Sequence, residues 1–243
     1  MEPSLAPLDP NTAFTFDCNP DVPCFNECCR DLNQFLTPYD VLRLTRRMKT
    51  TSTVFLTTYT EVHQGPETGL PVVCLNMADT PHRLCPFVTR AGCSVYEDRP
   101  ASCRTYPLAR AIRRCRQTGA ITEHFAVLQE PHCRGFEKGT ARTPKDWMAD
   151  QDLSEYNRQN DALLELISLK ARLRPGPLGP EDGARFYMAC YDLTTFRTRI
   201  TNHTLERPFP ITDSEIQEAL SSDEALLTFG LSWIRRYLFG DAR

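Results

Sequence analysis

Helical spacing of apolar residues is confined to parts of the chain. In "FLTPYDVLRLTRRMKTT", Thr37 stands where a side chain can cap a helix, Pro38 takes the first helical position, and Leu42 and Leu44 share an apolar side. This predicts a helix over 38–49. Leu153, Tyr156, Asn160, Leu163, Leu164 and Ile167 recur at helical intervals and predict a longer one over about 153–173. Pro175, Gly176, Pro177, Gly179 and Pro180 end it. A helical pattern resumes with Phe186, Met188, Tyr191, Leu193 and Phe196. Thr212 and Asp213 cap a further segment, within which Asp223 and Glu224 open a second helix. Residues 53–77 mix β-branched and aromatic residues around "HQGPETGLP", which reads as two short strands or extended pieces. Three prolines in 84–107 exclude one long helix there and leave a looped segment with single helical turns. Residues 1–15 carry three prolines and no period, the pattern of an extended leader. The fold class expected is therefore α-rich, α+β at most: an irregular, metal-organised cysteine-cluster domain over 16–143 with a helical C-terminal region over 144–243.

Composition adds a size and a compartment. With 243 residues and 41% apolar content the chain can bury a substantial core. Its 28 basic and 31 acidic side chains nearly cancel, to a net charge of −3, so no basic field points to nucleic acid or an anionic membrane. The segment "ARAIRRCR", residues 109–116, reads as a solvated charge run. There is no long apolar run and no basic or apolar start, so neither a signal peptide nor an anchor is expected and the protein is placed in the cytoplasm.

In a reducing compartment, clustered cysteines point to metal or redox chemistry rather than to structural disulfides. Ten of the eleven cysteines fall in the first 133 residues. Cys18, Cys24, Cys28 and Cys29 lie within twelve positions; Cys85, Cys93 and Cys103 form a second group, and Cys133 follows. Soft thiolates suit zinc and iron, and four can close a tetrahedral shell. Adjacent side chains diverge, so the Cys28–Cys29 doublet suits two neighbouring sites or a cluster that takes ligands from several sides. Eight thiols can serve one cluster with spares or two four-coordinate sites. Cys74, Cys115 and Cys190 read as ordinary small residues, whereas His132, beside Cys133, is an alternative ligand. Four thiolates around a divalent ion leave a charge near −2, and Arg30, Arg99 and Arg104 sit where guanidinium groups would bond to sulfur around the cofactor. Tyr96 and Tyr106 read as packing aromatics, and Pro100 and Pro107 as loop-shaping residues.

"CNPDVPCFNECCR" followed by "CPFVTRAGCSVYEDRPASCRTYPL" resembles the YkgJ-type cysteine-cluster family over residues 16–136. The signature falls on Cys85, Phe87, Cys93, Tyr96, Arg99, Pro100, Cys103, Arg104, Tyr106 and Pro107. The five-residue gap between Cys18 and Cys24 is longer than the family pattern. The resemblance implies chelation of zinc or iron. Flagellin lysine N-methylases are similar in their cysteine cluster and imply an iron-sulfur centre used in protein methylation. Three readings follow: a metal-binding protein, which asks least of the sequence and is preferred; an iron-sulfur enzyme acting on protein; and a thiol redox switch. No glycine-rich turn for adenosyl-methionine supports the second. The partner or substrate expected is a protein of unknown identity.

Overall fold

The computed structural model describes residues 3–240 other than 80, 116 and 119. In chain order, β1 (Ser4–Leu8), β2 (Phe14–Thr15) and β3 (Phe35–Leu36) precede α1 (Pro38–Met48) and α2 (Ser52–Tyr59). Then β4 (Thr60–Gln64), β5 (Pro71–Leu75), β6 (Val88–Thr89) and β7 (Gly92–Cys93) lead to α3 (Ala101–Thr105). After β8 (Leu108–Arg114), β9 (Ile121–Gln129) and β10 (Ala141–Arg142) come α4 (Pro144–Asp150), α5 (Ser154–Leu173), α6 (Pro180–Cys190), α7 (Leu193–Thr201), α8 (Asp213–Leu220) and α9 (Asp223–Phe239).

The α-rich expectation is overturned. Helix accounts for 45% and strand for 18%, in a mixed α+β arrangement with several small sheets. The strands that shift the balance lie where arginines hid an alternating pattern: β8 pairs antiparallel with β9 from Leu108–Val127 to Arg114–Ile121. In β9, Phe125 and Val127 are buried while His124 stays exposed, so one face covers a core and the other meets water. The first fifteen residues, expected as a leader, supply two strands. β1 lies against β9 from Ser4–Gln129 to Leu8–Phe125, and β2 pairs with β10. Pro7 is tolerated because β1 is an edge strand.

The chain divides into two compact units, each built from two separated stretches: Met1–Leu32 with Met77–Arg158, and Asn33–Asn76 with Gln159–Arg243. The linear division at 143/144 read from the sequence follows neither boundary.

In the first unit Phe16, Leu108, Phe125, Val127 and Trp147 form the core, with Tyr106, Cys133 and Phe136 packed against it. Phe16 meets Tyr106, Phe136 and Trp147 edge-on at centroid distances of 5.7, 5.1 and 5.6 Å, the geometry that aromatic quadrupoles favour. Trp147 Nε1 donates to the Thr105 carbonyl at 3.1 Å, so its indole is buried with its polar edge satisfied.

The second unit holds the sheet β3-β5-β4. α1 begins as expected: the Asp40 amide donates to Thr37 Oγ1 at 3.2 Å and the Thr37 amide to Asp40 Oδ2 at 2.8 Å, a reciprocal cap. Ser52–Tyr59 is helical, although the sequence pattern of 53–77 predicts strands or extended pieces. Thr51 Oγ1 accepts from the Val54 amide, and Phe55 and Leu56 are buried. Packing and capping here outweigh the strand preference of β-branched residues. α9 approaches α6 so closely that a Cβ on Gly230 would lie 2.1 Å from the Ala189 carbonyl oxygen. Among the described residues no helix is long and apolar enough to cross a membrane.

Candidate metal centre

The thiol-bearing segments of the first unit are held by backbone bonds. Cys28 and Cys29 end a single helical turn, Glu27–Cys29, entered through Asn26 at φ 69°, a left-handed position that asparagine tolerates. The Cys85 amide donates to the Cys29 carbonyl at 2.8 Å, and Arg30 bridges to Leu84, so the two sequence groups are joined at the main chain. Cys93 lies on β7, paired with Val88. Cys133 follows β9 in a turn closed by its amide on the Glu130 carbonyl at 3.0 Å. That turn reaches back to residues 16–18: the Asp17 amide donates to the Gly135 carbonyl at 3.0 Å. Gly135 is required there, because a Cβ would fall 2.5 Å from the Phe16 ring and 2.6 Å from the Asp17 carbonyl oxygen.

The result is a small cavity lined by Cys18, Cys24, Cys28 and Cys133 with Phe16, Tyr106 and His132 among its neighbours. The Arg134 amide donates to Cys24 Sγ at 3.0 Å. The Tyr106 hydroxyl is buried without a hydrogen-bond partner of normal geometry, although it lies against Cys133 and Glu130.

Electrostatics keep most of these thiols protonated. Burial, then Cys28, Cys24 and Cys133, push the Cys18 thiol up to about 12. Cys28 is pushed further by its hydrogen bond with Cys29 and by burial. Burial raises Cys133, which Tyr106 partly opposes. Cys85 and Cys93 are also raised, by burial first; each interacts with Cys28, and Arg99 draws Cys93 partly back. Cys28 thus interacts with members of two thiol groups, Cys18 in one and Cys29, Cys85 and Cys93 in the other. A bound cation would reverse this balance, because its charge would stabilise Cys18, Cys28 and Cys133 as thiolates.

The remaining candidates are placed as follows. Cys103 is exposed on α3 and is not among the residues lining the cavity. Cys115 is exposed beyond β8, while Cys74 and Cys190 are buried in the second unit. His132 lines the cavity, with Nε2 3.7 Å from Glu130. Arg30 pairs with Glu27 at 3.1 Å. Arg99 stacks on Tyr96 at 3.8 Å, donates to the Tyr96 carbonyl at 2.6 Å and bonds to Gln151. Arg104 is buried over the Tyr156 ring and donates to the carbonyls of Gln151 at 2.7 Å, Arg99 at 3.3 Å and Glu97. It ties the 97–104 loop to the end of α4. Arg104→Met removes a buried guanidinium that serves three carbonyls, and we expect a loss of about 3 kcal/mol, seen as a lower urea midpoint. The Arg134 amide had no distinguishing mark in the sequence, and Tyr106, although part of the signature, reads there only as a packing aromatic.

As placed, no group of three or more His, Cys, Asp or Glu side chains among the described residues is positioned to hold an ion. The donor chemistry nevertheless fits one: four soft sulfurs face one space, a main-chain N–H already serves one of them, and a buried hydroxyl beside another lacks a partner. Together the fold and this pocket define a small α+β cysteine-cluster domain whose thiols come from both ends of its first unit. Residues 17–134 match the model of the CxxCxxCC family, described as "Putative zinc- or iron-chelating domain". No curated protein and no solved structure matches the chain.

Proposed function

We propose that the first unit is a chelating module in which Cys18, Cys24, Cys28 and Cys133 hold one zinc or iron ion as thiolates. The observation that supports this reading is the convergence of four thiols, from positions 18–28 and from 133, on one cavity. Zinc would act as a structural brace, its binding energy becoming folding energy. A second reading is an iron-sulfur cluster drawing also on Cys29, Cys85 and Cys93. It is favoured by the interactions of Cys28 with both thiol groups. Metal analysis and an absorption spectrum on protein purified without oxygen test both. About one equivalent of zinc without colour fits the mononuclear site, and a brown chromophore with iron and sulfide fits the cluster. Less than about a tenth of an equivalent of any transition metal in never-chelated protein overturns the reading.

Loading is expected to release protons. The thiols must ionise to ligate, so zinc added to reduced, metal-free protein at pH 7 should expel about four protons per ion, read with an indicator dye. Affinity should fall as pH is lowered. The metal-free fold behaves oppositely. Because folding raises Cys18 from 9.0 to about 12, its contribution to stability is intact below pH 9.0 and is lost as pH rises towards 12. Urea midpoints across that range check the sign.

A further inference from the structure

We infer that Tyr106 is a positioning residue for the bound ion: its hydroxyl donates to the sulfur of Cys133 once that sulfur is a thiolate. The inference rests on the chelation reading above and adds a residue outside the cysteine set. Two observations support it. Tyr106 lines the same cavity as the four thiols, and its hydroxyl is buried without a hydrogen bond of normal geometry, with Cys133 and Glu130 beside it. Buried polar atoms in native proteins are nearly always bonded, so a partnerless one beside a candidate site points to a partner present in another state. Its ring is fixed edge-on to Phe16 at 5.7 Å, and Tyr106 and Cys133 pack against the same core cluster and line the same cavity, so packing holds the tyrosine beside the thiols.

In the metal-free protein Cys133 is a thiol, a weak acceptor. When the ion binds, the thiol proton leaves for solvent and the sulfur becomes a charged acceptor, to which the hydroxyl hydrogen bond is stronger and shorter. The bond draws electron density from sulfur. It therefore lowers the energy of the sulfur lone pairs and orients the ligand, as outer groups do at metal sites.

Cobalt(II) titration of the reduced, metal-free full chain, wild type beside Tyr106→Phe, tests this. The variant keeps the ring and its packing. We expect both proteins to bind cobalt, with the sulfur-to-cobalt charge-transfer band of the variant at longer wavelength and its affinity lower by about 10- to 100-fold. Phe136→Leu, which disturbs only the packing beside Phe16, should weaken binding without moving the band. An unchanged band in Tyr106→Phe overturns the inference and leaves the chelation reading standing. A wild-type protein that shows no thiolate–cobalt band overturns the chelation reading, and this inference with it.

Discussion

Serine at Cys24 or at Cys133 is expected to empty the site and destabilise the first unit, whereas serine at Cys103 is expected to leave metal content unchanged. Structural zinc in small domains contributes about 10–16 kcal/mol, which shared among four thiolates is roughly 3 kcal/mol each, or more than about 100-fold in affinity per lost ligand. Cys24 lines the cavity and accepts the Arg134 amide, and Cys133 closes the cavity from the far end of the segment. Cys103 is solvent-exposed on α3. Metal equivalents per chain, with thermal unfolding before and after a chelator, separate the three variants. Loss of metal from Cys103→Ser with full retention in Cys24→Ser would contradict the assignment.

Gly230→Ala should be the most damaging single-methyl change in the second unit. The added carbon would sit 2.1 Å from the Ala189 carbonyl oxygen and 3.1 Å from its carbon. Both atoms are helix backbone, so no side chain can swing aside. Relief requires α9 to move off α6, opening a region where Cys190, Phe196, Leu226 and Ile234 are fully buried. Overpacking of this kind costs about 3 kcal/mol or more, which for a chain of this size lowers Tm by about 6–12 °C. Gly179→Ala is the matched control: nothing lies within 4 Å of its Cβ position, and the change should stay within about 0.5 kcal/mol. Equal losses in the two variants would mean that the close helix approach is not what Gly230 serves.

The helices were the most legible elements because their signals are local. Thr37 and Pro38 mark the start of α1, and the proline-glycine run after Leu173 marks the end of α5. The β8–β9 hairpin was not legible. Arg110, Arg113 and Arg114 made β8 look like a solvated run, and the third strand of its sheet, β1, pairs with β9 from more than a hundred residues away. Residues 52–59 misled in the opposite sense, since β-branched composition is a weak preference that the burial of Phe55 and Leu56 overrides. At the site, cysteine spacing gathered eight candidates but could not divide them, because convergence depends on the turn at 130–135 folding back on residues 16–18. The same limit applies to the arginines. Arg104 resembles a partner for sulfur in the sequence, yet its donors go to carbonyls of its own loop and of Gln151.

The interleaving of the two units fixes an order of events during synthesis. A ribosome releases residues 1–32, then the first piece of the second unit, before the stretch that completes the first. Cys18, Cys24 and Cys28 therefore emerge long before Cys133, and must wait unligated while Asn33–Asn76 leaves the tunnel. A chain stopped at residue 143 would carry every proposed ligand but lack Trp147, which packs against Phe16 beneath them. Such a fragment would be able to capture metal without the floor on which the captured ion is meant to rest.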